Sequence, residues 1–333
     1  RNTRAAMDTP VALILFNRAD LTHRVFSEIA RAKPRQLFLI ADGPREDHPD
    51  DQEKCAAARQ VVEHVDWPCE VHTNFSDTNL GCGARPATGI NWVFEHVDRA
   101  IILEDDCVPH PTFFKFCDEL LERFESDERV MQISGQNLQF GQRRGPFSYF
   151  YSFHNICLGG FATWRRAWRH FDFGIAAWPL LRDTDWLHAI VNHPEGERYW
   201  STQFDRAHDT PGEIDFWDYQ WTFACWAQSG LTVLPNASLL TNIGHGPDGT
   251  HLHGSSAIAN LALEAMEFPL QHPPYMARDR IADDFFVENV IVTKPKPINW
   301  RKRVRRAFPA PLRPLLALAA RTARAVLRLR PSA

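Results

Sequence analysis

The sequence has no Cys-x-x-Cys pair, no run of 18 apolar residues, no internal repeat and no low-complexity stretch before about residue 290. Each absence removes a class. The seven cysteines, Cys55, Cys69, Cys82, Cys107, Cys117, Cys157 and Cys225, are odd in number and unpaired in spacing. They fit reduced, mostly buried thiols and not a disulfide framework or a zinc site. No membrane span or signal peptide is expected, which points to a cytoplasmic protein. Acidic residues are missing altogether from 301–333, which hold ten Arg or Lys. The first 300 residues carry 27 basic against 41 acidic groups, a net charge of −14. An acidic body does not suit nucleic acid, because phosphate binding needs a positive surface.

What is present is ordinary globular composition over 333 residues, 44% hydrophobic and 23% charged. Eleven tryptophans and 23 phenylalanines supply aromatic area for a core or for planar ligands. "VALILFN" (11–17) reads as a strand buried on both faces. Asp20 can cap a following helix whose Leu21, Val25 and Ile29 share a face. "QLFLIADG" (36–43), "CEVHTNF" (69–75), "AIILEDD" (100–106) and "RVMQISGQN" (129–137) read as further strands. Helical stretches at 51–65, at 86–97 and from "TFFKFCDELLERFESD" lie between them. The alternation predicts an α/β fold with a mostly parallel, helix-covered sheet. "TKPKPINW" (293–300) reads as a linker.

Ligands of open α/β sheets bind beyond the carboxyl ends of the strands. Asn17, Arg18, Asp42 and the run Glu104-Asp105-Asp106 all fall at such ends. Three adjacent carboxylates after a dry strand belong either to a solvated turn or to a cation site, since a hard divalent cation prefers oxygen ligands. No G-x-G-x-x-G is present: in "GCGARP" Pro86 stands where the third glycine belongs, which excludes a dinucleotide-binding dehydrogenase.

"IILEDDCVPHPTFFKFCDEL" resembles the carboxylate-bearing segment of GT-A-fold nucleotide-diphospho-sugar glycosyltransferases, in particular the N-acetylglucosaminyltransferase I type and related bacterial enzymes. The resemblance runs over roughly residues 10–255. It takes in "VALILFNRADLTHRVFSEI", "LFLIADGP", "GGFATWRRAW", "DFWDYQW" and "TNIGHGPDGTHLHG". It implies a GT-A-like (Rossmann-like) domain over 1–292, with a donor half about 10–137 and an acceptor half about 138–292, and a separate tail over 293–333. By the same resemblance Asp42 would meet a uracil ring, and Asn17 and Arg18 the donor. Glu104 and Asp105 would contact ribose or ordered water. Asp106 would ligate Mn²⁺ or Mg²⁺, with His251 as a further ligand and Thr250 beside it at the diphosphate. Arg85 is either a second phosphate contact or a surface charge. The closing loop departs from the pattern in carrying three histidines, His245, His251 and His253.

The resembled element places a catalytic base at Asp218. Its neighbours Trp217, Tyr219, Trp221 and Trp226 would desolvate it and offer faces to sugar rings. The alternative is that Asp218 merely caps a buried helix. One base without a carboxylate nucleophile implies inversion. The implied reaction is transfer of a sugar, from a UDP-linked donor such as UDP-GlcNAc, to a glycan or lipid-linked acceptor in polysaccharide biosynthesis. The competing class is a catalytically silent sugar-nucleotide-binding or membrane-associated scaffold. A sugar-nucleotide pyrophosphorylase would need a Gly-rich phosphate loop near the first strand, and "LFNRADLTHR" has no glycine.

The tail adds a separate expectation. Over 312–330, Arg313, Arg321, Arg324 and Arg328 fall in a sector about 80° wide at about 100° per residue. The leucines and Val326 spread over the other side. With "RKRVRR" (301–306), this is the pattern of a helix lying on an anionic membrane, here the inner face of the cytoplasmic membrane.

Overall fold

The computed structural model describes residues 7–154, 159–210, 212–244 and 260–292. The chain divides at Val292, and the tail from Thr293 lies outside the described residues. The strands are β1 (Val11–Leu15), β2 (Gln36–Ala41), β3 (Glu70–Phe75), β4 (Arg99–Glu104), β5 (Cys107–Pro109), β6 (Val130–Ser134), β7 (Tyr149–Ser152), β8 (Gly160–Trp164), β9 (Leu231–Pro235) and β10 (Leu240–Asn242). The helices are α1 (Ala19–Ala32), α2 (Asp51–Glu63), α3 (Gly81–His96), α4 (Pro111–Arg123), α5 (Arg165–Trp168), α6 (Trp178–Leu181), α7 (Trp186–Val191), α8 (Pro194–Asp209), α9 (Asp218–Ala227) and α10 (Arg280–Phe286).

The eight-stranded sheet runs β3-β2-β1-β4-β8-β6-β9-β7, and β5 pairs separately with β10. β1 to β4 are mutually parallel, with Leu15 opposite Ala41, Ala41 opposite Phe75 and Ile14 opposite Glu104. Their carboxyl ends therefore share one edge. β8 and β7 run against the other six strands. This is a mixed α/β sheet with the Rossmann-like 3-2-1-4 order at its first half.

Strand periodicity sorts the core into two faces. Val11, Leu13 and Leu15 pack with Val25, Phe26 and Ile29 of α1 and with the α4 phenylalanines. Ala12 and Ile14 point the other way, to Ile90, Val93 and Phe94 of α3 and to Trp221 and Ala224 of α9. Fully burying one such side chain is worth about 1.5–3 kcal/mol, so a one-residue slip of β1 would forfeit several of them. A third apolar cluster gathers Trp178, Trp200, Phe204, Phe223 and Trp226 around α6–α9.

Two local readings change. Asp20 is not the cap of α1: Arg18 holds that position, Asp20 lies in the first turn, and no side chain closes the helix start. α3 begins at Gly81, five residues before the expected start, and contains Pro86. Its first N–H groups are satisfied from another strand, as described below. Among the described residues no helix is long and apolar enough to cross a membrane.

Candidate active site

β1 and β4 are neighbours although β2 and β3 leave β1 on the opposite side. The chain order reverses between them, and ligands of such sheets bind outside that point. Arg18 follows β1 there and Asp105 and Asp106 follow β4. The Arg18 guanidinium pairs with Asp105 Oδ1, and its Nη1 lies 3.1 Å from Asp106 Oδ2. The backbone N–H of Phe16 donates to Asp105 Oδ2 at 3.2 Å. Burial works against the Arg18 charge, but Asp105, Asp106 and Glu104 outweigh it and hold the guanidinium protonated.

Asp105 and Asp106 are 2% and 9% exposed. The Asp105 pKa is pushed up to about 6, by burial first, with Arg18 pulling down and Asp106 pushing up. Glu104 is pushed up to about 8, by burial and then by Asp106 and Asp105. Burial and mutual repulsion thus disfavour the charged carboxylates at this strand end, and the Arg18 guanidinium offsets this only in part.

The start of the closing segment is delivered onto Asp106. β10 runs antiparallel to β5, with Asn242 opposite Cys107. Ile243 N–H donates to the Asp106 carbonyl at 2.8 Å, and Asn242 Nδ2 to Asp106 Oδ1 at 3.2 Å. A Cβ on Gly244 would overlap Asp106 Oδ2, so only glycine fits that approach. Gly159, at φ 83°, is restricted in the same way by Cys107 Sγ and Glu104. Neither glycine nor Asn242 could be singled out from local pattern, because their constraint comes from a strand far away in sequence. Thr250, His251, His245 and His253 lie outside the described residues.

Trp217 Nε1 donates to Glu104 Oε1 at 3.3 Å. This joins the start of α9 to the carboxylate run. Asp218 is the first residue of α9 and Trp217 its N-cap, so Asp218 stands one position past the cap. Its charge is close enough to raise the pKa values of Glu104, Tyr199 and Tyr219. The tryptophans do not form sugar platforms as expected: Trp217, Trp221 and Trp226 are 4%, 0% and 1% exposed. Their ring faces are taken by core partners such as Phe161, Trp168 and Trp200.

Asp42 corrects another expectation. Its two oxygens accept from the N–H groups of Gly43, Leu80 and Gly81 and from Asn79 Nδ2, at 2.9–3.1 Å. A carboxylate has about four acceptor positions. The Leu80 and Gly81 bonds close the N-terminus of α3, the Gly43 and Asn79 bonds hold the turn after β2, and together they fill the positions a uracil ring would need. Burial still raises the Asp42 pKa against these bonds. Arg85 is buried and turned to β3, where it donates to the Asn74 carbonyl and, at 2.9 Å, to Asn74 Oδ1. It ties α3 to the sheet and does not reach toward the carboxylates with these bonds. Asn17 donates to Asp51 Oδ1 at 2.8 Å, and Asp51 is also gripped by Arg45, which holds its pKa down at about 2. An open cleft of about 530 Å³ lies beyond the ends of β2 and β3, lined by Arg45, His48, Gln52, Thr78 and Asn79 among others.

The donor set suits a hard cation: carboxylate oxygens, with one or two protein ligands sufficing when phosphates supply others. Among the described residues no group of three His, Cys, Asp or Glu side chains is arranged to hold an ion by itself. A cation here would take its remaining ligands from substrate and water.

No protein-family profile matches the chain, and no curated protein sequence matches it significantly. Its shape is similar to solved structures. One is the mannosyltransferase PcManGT from Pyrobaculum calidifontis in complex with GDP-Man and Mn²⁺ (12% identity, TM-score 0.35, 67% of this chain and 70% of that one). Another is a UTP-bound UGPase from Acinetobacter baumannii (11%, 0.30, 51% and 79%). A third is a UDP-glucose pyrophosphorylase complexed with UDP-glucose (10%, 0.26), where 46% of this chain covers 64% of that one. The N-acetylglucosaminyltransferase I type is not among these three.

Proposed function

We propose that this protein is a metal-dependent glycosyltransferase that passes a sugar from a nucleoside-diphosphate donor to a hydroxyl acceptor. The observation that carries the reading is the meeting of Arg18, Asp105 and Asp106 at the reversal point of the sheet, with Trp217, the residue before Asp218, bonded to Glu104 of the same strand end.

In this reading the nucleoside lies along the cleft beyond β2 and β3, with Asn79 and Arg45 on its walls. Arg18 meets the diphosphate, whose oxygens suit a planar multi-donor cation. Asp106 would hold Mn²⁺ or Mg²⁺, with His251 as a proposed second ligand. The bound metal would neutralise the charge of the leaving diphosphate as a Lewis acid. Asp218 accepts the proton of the acceptor hydroxyl. A single base of this kind implies inversion at the anomeric carbon. UDP-linked sugars, UDP-GlcNAc included, are the first donors to test. The basic tail, 301–333, would hold the enzyme at an anionic membrane where a lipid-linked acceptor resides.

The test is incubation with a panel of UDP- and GDP-sugars, with and without Mn²⁺, and measurement of released nucleoside diphosphate. Release that needs Mn²⁺ and rises with an added acceptor supports the reading. No release and no binding of any nucleotide-sugar would leave a scaffold as the better account.

A further inference from the structure

Each of the four oxygens of Asp105 and Asp106 has a protein partner. Asp105 Oδ2 takes the Phe16 N–H, and Asp105 Oδ1 takes Arg18. Asp106 Oδ1 takes Asn242 Nδ2 at 3.2 Å and the Cys107 thiol at 3.3 Å, and Asp106 Oδ2 takes Arg18. One guanidinium therefore holds the oxygen of each carboxylate that the surrounding frame leaves free. The backbone closes over the same place: a Cβ on Gly244 would overlap Asp106 Oδ2 and stand 3.0 Å from Arg18 Nη1. A divalent cation bridging Asp105 Oδ1 and Asp106 Oδ2 would need the two oxygens that Arg18 holds.

We propose that Arg18 competes with a divalent cation for Asp105 and Asp106, and that a nucleoside diphosphate relieves the competition by drawing the guanidinium onto its phosphates. The inference rests on the nucleotide-sugar reading above. Its physics is simple. A partly buried carboxylate pair attracts one cation strongly, and a second is repelled by the first. Arginine forms bidentate bonds with phosphate at least as well as with carboxylate. Moving Arg18 to phosphate exchanges one anionic partner for another and frees both carboxylates. Linkage then requires metal and nucleotide to raise each other's affinity by the same factor. Arg18 would thus act as an internal plug, making metal entry depend on donor arrival.

The experiment is a titration of full-length protein with Mn²⁺, followed by the electron paramagnetic resonance signal of free Mn²⁺. It is run alone and with UDP or GDP, corrected for metal bound to nucleotide in free solution. Wild type should bind Mn²⁺ feebly alone and about 5- to 150-fold more tightly with nucleotide, the usual span of coupling between two ligands. Arg18→Gln should bind Mn²⁺ more tightly without nucleotide, and nucleotide should add little. Arg18→Lys, which keeps the charge but cannot span both carboxylates, should fall between, and it serves if the glutamine variant does not fold. Adding Asp106→Asn to Arg18→Gln should remove the gain. Equal Mn²⁺ affinity in wild type and both Arg18 variants overturns the competition, even where UDP or GDP binds. Nucleotides that bind none of these proteins sink the nucleotide-sugar reading and the relief step with it. The Arg18 variants then still decide whether arginine and metal compete.

Discussion

Trp217 donates its indole N–H to Glu104, 113 positions earlier in the chain, at 3.3 Å. The bond fixes the residue before Asp218 against the end of β4. Trp217→Phe keeps the packing on Phe161 and Trp168 but removes the donor. A net hydrogen bond is worth about 0.5–1.5 kcal/mol, so folding should survive. Misplacing a reacting group by about 1 Å can cost about 10²-fold in rate. The expected result is a fall of kcat toward that size with donor KM little changed, read by steady-state kinetics. An equal change in both would make Trp217 a core residue only.

Asp218→Asn keeps shape and most hydrogen bonding while removing a proton acceptor. General-base help is worth about 10²–10⁴-fold, so transfer should fall by about that factor with donor affinity intact. A loss of a few fold would move the base to Asp215 or Glu213.

His154 offers a stability prediction away from the site. It is 2% exposed, packed against Trp200, Trp226 and Phe286, and neither ring nitrogen has a partner among the described residues. Burial lowers its pKa from 6.5 to about 4, with Asp283 raising and Arg278 lowering it further, and Asp284 and Arg280 making smaller opposed contributions. The unfolded chain takes the proton first as pH falls. The stability this neutral histidine confers is complete above about pH 6.5 and lost as pH falls toward 4, on the order of 3 kcal/mol in all. His154→Phe should flatten the melting temperature over that window, measured by calorimetry. An unchanged slope would place the acid sensitivity elsewhere.

The basic tail can be tested separately. Full-length protein should sediment with liposomes containing anionic lipid at low salt, and removal of 301–333 should abolish this without loss of activity on a soluble acceptor. Unfolding of the shortened protein, or no binding by the intact one, would give the tail to the fold or to a partner.

Much of the β1–β4 half of the sheet was legible because its strands are short apolar runs with polar ends. Val11–Leu15, Gln36–Ala41 and Arg99–Glu104 read as strands from hydrophobicity, and their parallel order placed Arg18 and the carboxylates together. The roles of Asp42 and Arg85 were not legible. Each looks like a ligand contact in sequence, but Asp42 bonds across the β2–α3 junction and Arg85 across the β3–α3 junction. Which carboxylate caps a distant helix is a tertiary fact, invisible to spacing. The tryptophans around Asp218 misled for a related reason: aromatic richness marks a core and a sugar site alike, and burial decides.

The central claim is that the Glu104–Asp106 strand end binds a nucleoside-diphosphate sugar together with a divalent metal. Its most direct test is the thermal shift of wild type and Asp106→Ala with UDP- and GDP-sugars, each with Mn²⁺ and with EDTA. Asp106 is buried, pairs with Arg18 and accepts from Asn242, so each shift is read against the variant's own ligand-free melting temperature. The account predicts a wild-type shift with at least one donor that needs Mn²⁺ and is absent in Asp106→Ala. A shift that is unchanged by EDTA and kept in Asp106→Ala would contradict it.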